Sequence, residues 1–357
     1  MSPDRRTFLA GALATGGMAL SGMGRAAAQG AAGPLIFDAM GEMRLEYDGD
    51  LIKQIKASGL NAITVTLTDP KVSGQRATDE AIDAVLAHDQ HIKAHPEWFL
   101  KATRVDDIER ARAAGQIAVF YLYQNSVQFQ KDLDLVDMFY SLGVRSSQIT
   151  YNYQNWAGAG CKEKRDGGLS RFGGELVEKM NETGMLIDLS HSGMTTMADT
   201  IAVSKSPVCI SHTGIMSVFE NERNTTDENL RAVAENGGFV GVCQIRPFLT
   251  HGREGALEDY FRHIDQAVKV AGVEHVAIGS DRDHRVITMT DEYLAELKAE
   301  EGENFNPDEW PLFIDELNGP SRMEVILAGL EKRGYAQADI EKIMGGNVLR
   351  VYRDVVG

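Results

Sequence analysis

Three short apolar runs in the second half of the chain end in side chains that can hold a divalent cation or move a proton. They are Leu186-Ile187-Asp188-Leu189-Ser190-His191, Val208-Cys209-Ile210-Ser211-His212 and Ile278-Gly279-Ser280-Asp281. A lone histidine at a strand end is usually a hydrogen-bonded structural residue, but three such ends in one half of a chain point to a shared site. Neutral imidazoles at His191 and His212 suit zinc or another borderline divalent ion. Asp281 is either a further ligand or the base that accepts a proton from metal-activated water. A bound cation brings the pKa of its water toward about 7 and polarises an amide carbonyl, so amides are hydrolysed without a protein nucleophile. No G-x-S-x-G elbow, Walker loop or Rossmann fingerprint offers a competing chemistry.

Other polar residues carry two readings each. Arg223, in the loop after the His212 run, either clamps a substrate carboxylate bidentately or forms a surface ion pair with Glu220 or Asp227. Asp283 and His284 are either supporting groups or extra ligands, or solvated loop residues. His88, His91 and His95 share spacings of three and four, which fit a solvated helix face better than a ligand set.

These residues need a scaffold that brings strand ends together. Eight short apolar runs, at 35–40, 62–67, 118–124, 148–153, 186–191, 207–212, 239–245 and 275–281, alternate with helical stretches such as 51–58, 108–114, 135–142, 173–182, 228–235 and 257–271. That alternation predicts an α/β fold, a (β/α)8 TIM-type barrel whose strands converge on one mouth at their C-terminal ends. Arg145-Ser146-Ser147 and Gly237-Gly238 read as helix-to-strand turns. Residues 286–319 lack an apolar period and read as a long excursion near the mouth, followed by helices at 322–333 and 337–344. No internal repeat or linker appears, so 29–357 is expected to be a single catalytic domain.

The net charge of −16 speaks against nucleic-acid binding, which needs clustered Lys and Arg to neutralise phosphates. Small peptide or amide substrates are the expected partners. Arg5-Arg6 followed by a Gly- and Ala-rich apolar stretch and Ala26-Ala27-Ala28 has the layout of a twin-arginine export signal over residues 1–28. The alternative, an uncleaved membrane anchor, asks for a longer apolar stretch. The expected location is therefore the periplasm, with no membrane span in the mature chain. Three cysteines, Cys161, Cys209 and Cys243, do not make a disulfide framework, and the last two read as buried thiols rather than ligands.

From about Phe37 to the C-terminus the chain resembles the membrane (renal) dipeptidase family of zinc peptidases. The likeness rests on Gly168-Leu169-Ser170-Arg171-Phe172-Gly173, Met180-Asn181-Glu182-Thr183-Gly184, Ile187-Asp188-Leu189-Ser190-His191, Ile210-Ser211-His212, Arg223-Asn224, Gly272-Val273-Glu274-His275 through Asp281, and Gly346-Asn347-Val348-Leu349-Arg350-Val351. It implies a (β/α)8 barrel with a two-zinc site that cleaves dipeptides. It places second-zinc ligands at His191 and His212, proton handling at Asp281 and substrate-carboxylate recognition at Arg223. Members of the family often form dimers, so a homodimer is a possible assembly.

Three positions depart from the family pattern. The first strand, Asp38-Ala39-Met40-Gly41-Glu42, carries Met40 where a zinc-binding histidine stands in the family, with Glu42 as a remaining candidate ligand. The bridging glutamate is replaced by Gln124, whose neutral amide lacks the charge that holds two cations together. A substrate-facing histidine is replaced by Tyr151, which can still bind substrate and donate a hydrogen bond to a developing oxyanion. The expectation is one zinc ion, held by His191 and His212 with Gln124, Glu42, Asp281 or water completing the shell. The expected activity is hydrolysis of dipeptides or a related small amide. Alternatives are a tailoring enzyme for a peptide natural product such as a siderophore, or a non-catalytic ligand-binding barrel with a degenerate metal site.

Overall fold

Side chains that alternate along a strand let a sheet close on itself, one set filling the interior and the other facing the helices. The computed structural model, which describes residues 33–301 and 310–357, has this arrangement. Its strands are β1 (Ile36–Gly41), β2 (Leu60–Thr66), β3 (Phe99–Lys101), β4 (Ile117–Tyr123), β5 (Val144–Gln148), β6 (Leu186–Asp188), β7 (Cys209–Thr213), β8 (Phe239–Val242) and β9 (Val276–Ile278). Eight of them run in the order β1-β2-β4-β5-β6-β7-β8-β9, every neighbouring pair parallel, and β3 lies off this path beside β4. Beyond β9 the chain returns to β1. The Asp281 N–H donates to the Met40 carbonyl at 2.9 Å and the Glu42 N–H to the Arg282 carbonyl at 3.2 Å, which joins the two ends of the sheet at the mouth. The result is a nearly closed (β/α)8 barrel, as the alternation of runs and helices predicts.

The period of two is visible in the core. Phe37, Ala39, Ala62, Ala118, Phe120, Leu186, Phe239 and Ala277 form one buried cluster, while Ile63, Val65, Val119, Tyr121, Ile187, Ile210, Val240 and Ile278 pack with the surrounding helices. The last helix, Asn347–Val355, adds Val348, Val351 and Tyr352 to the first cluster. The Tyr352 ring lies 5.2 Å from Phe37 and 4.8 Å from Phe120, and its hydroxyl shares a 2.7 Å hydrogen bond with Thr64. One end of the barrel is thus plugged by apolar packing, which leaves the polar strand ends at the other.

The structure departs from the sequence reading in four places. Arg145-Ser146-Ser147 is not a turn; these residues form β5, so that strand begins at Val144 and ends at Gln148. Its polar side chains are buried because neighbours satisfy them: Ser147 donates to the Asn125 carbonyl at 2.9 Å, Gln148 to Asp188 at 3.2 Å, and Arg145 to the Thr103 and Tyr140 carbonyls at 2.7 Å. The short β3 has no apolar period long enough to announce it. The 286–319 excursion contains a helix, Asp291–Glu301. The helix at 337–344 stops at Glu341 and continues as a wide turn over Lys342–Gly346.

The proposed export segment, residues 1–28, lies outside the described residues. No described helix is long and apolar enough to cross a membrane. Cys161, Cys209 and Cys243 are all free thiols, the last two buried.

Candidate active site

The ends of β6 and β7 build the site through a buried carboxylate. Asp188, the last residue of β6, accepts the Ser190 N–H at 3.0 Å and the Ser211 N–H at 2.9 Å, together with both serine hydroxyls, at 2.8 and 2.5 Å. Because the Ser211 hydroxyl gives its proton to Asp188, it accepts from His212 Nδ1–H at 2.8 Å. His191 Nδ1 lies 2.7 Å from the Asn152 amide oxygen, an acceptor, so this ring also carries its proton on Nδ1. Both Nε2 atoms then carry lone pairs, and they face each other at 3.0 Å. Gln124, just past the end of β4, places its amide nitrogen 3.4 Å from His212 Nε2, and the Tyr151 ring lies 4.2 Å from the His191 ring.

Both imidazoles are kept neutral. Burial and the positive charge of Arg223 hold His191 and His212 well below the usual histidine pKa. Positive backbone φ at non-glycine residues is costly, and three of the four such residues among those described are here: Asn152 (54°), His191 (64°) and Asp281 (52°). The fold accepts strain to aim these side chains.

Arg223 does not make the surface ion pair that its loop position allowed. It is 2% exposed; Nη2 donates to the His212 carbonyl at 3.1 Å, while Nε and Nη1 are buried with no hydrogen-bond partner. Unpaired buried guanidinium N–H groups beside two imidazoles suit an anionic ligand. Asp281 shares this environment: burial pushes its carboxyl up to about 7, against the pull of Arg223 and with the repulsion of Glu42 adding to the rise.

The remaining candidates fall elsewhere. Glu42 is held by Arg44 at 2.6 Å, outside the hydrogen-bonded group around His212. Met40 is fully buried in the wall. Asp283 and His284 are not solvated: Asp283 is bound by Tyr47 at 2.6 Å and by Arg285, and His284 is buried with neither ring nitrogen partnered. His88, His91 and His95 belong to the helix Gln75–Ala94 and its C-cap; His91 packs against His95 and His95 stacks on Trp98, so their face is partly packed.

Among the described residues no cluster of three or more His, Cys, Asp or Glu side chains is positioned to hold a metal ion. The donors that do converge are two imidazoles with an amide beside them. Sequence reasoning gave no role to Asn152, Asp188, Ser190 or Ser211. The available signal was their place in the strand-end runs, where a carboxylate or hydroxyl next to a ligand histidine commonly sets its tautomer.

The Membrane dipeptidase (Peptidase family M19) pattern matches residues 38–293 and 302–356. An uncharacterized dipeptidase of Schizosaccharomyces pombe is 32% identical over 254 residues, 70% of this chain, and the match spans just over half, 55%, of that relative's length. An amidohydrolase structure from Pseudomonas aeruginosa superposes with a TM-score of 0.80 at 31% identity, covering 90% of this chain and 96% of the other. A metallo peptidase from Rhodobacter sphaeroides, liganded with a phosphinate mimic of the dipeptide L-Ala-D-Ala, shares the fold with a TM-score of 0.75 at 18% identity, covering 90% of this chain and 99% of the other. With that pattern running from the first strand to the last helix over the barrel described above, the chain belongs to the membrane dipeptidase family, peptidase family M19.

Proposed function

We propose that this protein is a metal-dependent hydrolase of dipeptides or a closely related small amide, working in the periplasm with one zinc ion per chain. The observation that carries the reading is the pair of Nε2 lone pairs 3.0 Å apart, with both Nδ1–H groups committed, beside an arginine with two unpartnered N–H groups. Two lone pairs at that distance repel unless a cation or proton lies between them, and burial disfavours the proton. His191 and His212 therefore fit one ion; Gln124 and Met40 offer no charge for a second. Membership of a metallopeptidase family and the dipeptidase relative support a peptide substrate. The Arg5-Arg6 segment supports export.

A cation bound there supplies Lewis-acid polarisation of the amide carbonyl and acidifies water. The chain's own residues do the rest. Arg223, with N–H groups to spare beside the imidazole pair, binds the substrate's terminal carboxylate, which fixes the amide over the two rings. Tyr151, its ring tilted against that of His191, is placed to donate to the developing oxyanion. Asp281, raised to about 7, takes a proton and returns it to the leaving amine near neutral pH. The buried position of His212 and Arg223 keeps bulk water away from both interactions.

Among the described residues no third His, Cys, Asp or Glu side chain joins the histidine pair, which favours a second reading, a ligand-binding barrel without turnover. A panel of dipeptides assayed before and after chelation, with zinc added back, separates the two. Turnover lost to chelator and restored by zinc supports the hydrolase; a zinc-loaded protein that hydrolyses none of the panel points to the binder.

A further inference from the structure

A cavity of about 430 Å³ opens beside the candidate site, and the two share Tyr151 and Asn152. Its walls come from three loops: 70–73 after β2, Asn125 and Val127 after β4, and 151–155 with Lys162 after β5. The loops are tied to one another. The Asn125 side-chain N–H donates to the Pro70 carbonyl at 2.9 Å, and that of Asn155 donates to the Asn125 amide oxygen and to the Ile149 carbonyl, each at 2.8 Å. The cavity is therefore formed before a ligand arrives, and its volume is that of a small-molecule pocket. Pro70, Val72 and Val127 give it an apolar side, and the Tyr153 residue in its wall is more than half exposed. Lys71 and Lys162 line it, and no Asp or Glu does among the described residues. The charge of Lys162 reaches the site: burial, Arg223 and His212 are the larger causes that hold the His191 pKa down, and Lys162 adds to them.

We infer that this cavity receives the side chain of the substrate's N-terminal residue, so that the preferred dipeptides begin with a large residue carrying no positive charge. Which end of the substrate enters follows from the histidine that each residue meets. Arg223, which takes the terminal carboxylate, is hydrogen-bonded to the His212 carbonyl and does not line the cavity. Tyr151 and Asn152, which do line it, contact His191. With the amide over the two rings, the N-terminal residue is the part that reaches the cavity. A large side chain there exchanges water for the apolar side and the Tyr153 ring, a gain that grows with the area covered. The Lys162 ammonium, with no carboxylate among the described lining residues to offset it, repels a cationic side chain. This inference rests on the dipeptide reading of the site.

The test measures Gly-Ala, Met-Ala, Trp-Ala and Lys-Ala, with Ala-Gly and Ala-Trp as the reversed pair, both as kcat/KM for the zinc-loaded enzyme and as affinity by calorimetry. In the wild type Met-Ala and Trp-Ala are expected to exceed Gly-Ala by roughly tenfold. Lys-Ala, similar to Met-Ala in length, is expected to fall below it by about threefold or more. Ser73→Trp fills the cavity from an exposed position and should remove most of the Trp-Ala advantage. Gly-Ala, which sends no side chain into the cavity, should be unchanged and so report that the variant is folded. Lys162→Met should raise Lys-Ala toward Met-Ala, and it decides the matter if Ser73→Trp lowers Gly-Ala as well. The assignment is overturned by an X-Ala series without size preference, by a preference that follows the second residue instead, by a Trp-Ala advantage that survives Ser73→Trp, or by a Lys-Ala deficit unchanged in Lys162→Met. Turnover of Gly-Ala would leave the hydrolase reading standing in each of those cases. If nothing is hydrolysed, calorimetry decides: tighter binding of Trp-Ala that Ser73→Trp abolishes supports the cavity although hydrolysis fails, and binding that is absent or independent of the first residue overturns it.

Discussion

The Nε2 atoms of His191 and His212 stand 3.0 Å apart, with one Nδ1–H given to the Asn152 amide and the other to a serine that is itself fixed by Asp188. With metal–nitrogen bonds of about 2.0–2.1 Å, two imidazoles on one ion sit at a separation of this order. The ligand pair is pre-set by residues that never touch the ion, and most of what can be tested follows from that.

Removing either support should loosen the metal without removing a ligand. Asn152→Ala frees the His191 ring and Ser211→Ala frees that of His212; each is expected to weaken zinc binding by roughly 10–100-fold. Competition with a chelating dye reads this directly, and wild-type affinity in both variants would show that the tautomers are not set this way.

Arg223→Met should separate function from stability. The side chain is buried with two unpartnered N–H groups, so replacing it with an apolar residue of similar length relieves a desolvation cost of about 1–3 kcal/mol. The ligand-free variant is expected to melt at a higher temperature than the wild type while its kcat/KM on dipeptides falls by at least about 100-fold, the loss expected when a charged partner is left unpaired. A lower melting temperature would mean that the guanidinium is satisfied in the free protein.

Close packing behind the site gives a third expectation. A Cβ at Gly279 would overlap the Ser211 carbonyl oxygen and approach the His212 Cα. Gly279→Ala must therefore push β7 and β9 apart, at a cost of roughly 1–3 kcal/mol, and displace His212. Urea unfolding together with zinc affinity measures both; a variant unchanged in either would show that the backbone has slack there.

His263 links the β7 loop to the helix Ala256–Ala271. Its Nδ1 accepts the Ile215 N–H at 2.8 Å and its Nε2 donates to the Leu249 carbonyl at 3.1 Å, and burial pushes its pKa down to about 4. A histidine depressed from 6.5 contributes stability that is fully present above pH 6.5 and is lost as the pH falls toward 4, up to roughly 3 kcal/mol. The stability gap between wild type and His263→Gln should therefore be wide at pH 7 and close as the pH approaches 4.5. A gap independent of pH would mean that the ring titrates normally.

The barrel was legible because short continuous apolar runs alternating with helical stretches mark parallel strands buried on both faces, and the meeting of His191, His212 and Asp281 at one mouth was legible because such strands end there. β5 was hidden because Ser146, Ser147 and Gln148 are polar in a buried strand, a pattern that makes sense only once Asn125 and Asp188 are seen beside them. Asn152 was hidden for a related reason: its contact with His191 depends on both residues adopting positive φ, which no local pattern announces. The burial of Arg223, Arg282 and His284 depends on loops folding back over the mouth, and a charged loop sequence reads as solvated until they do.

The most direct test is the zinc content of the purified protein beside that of a His191→Ala/His212→Ala variant, measured by elemental analysis. We expect about one zinc per chain in the wild type and essentially none in the variant. Two zinc ions per chain, or one that persists without the two histidines, would contradict a single ion held by this pair.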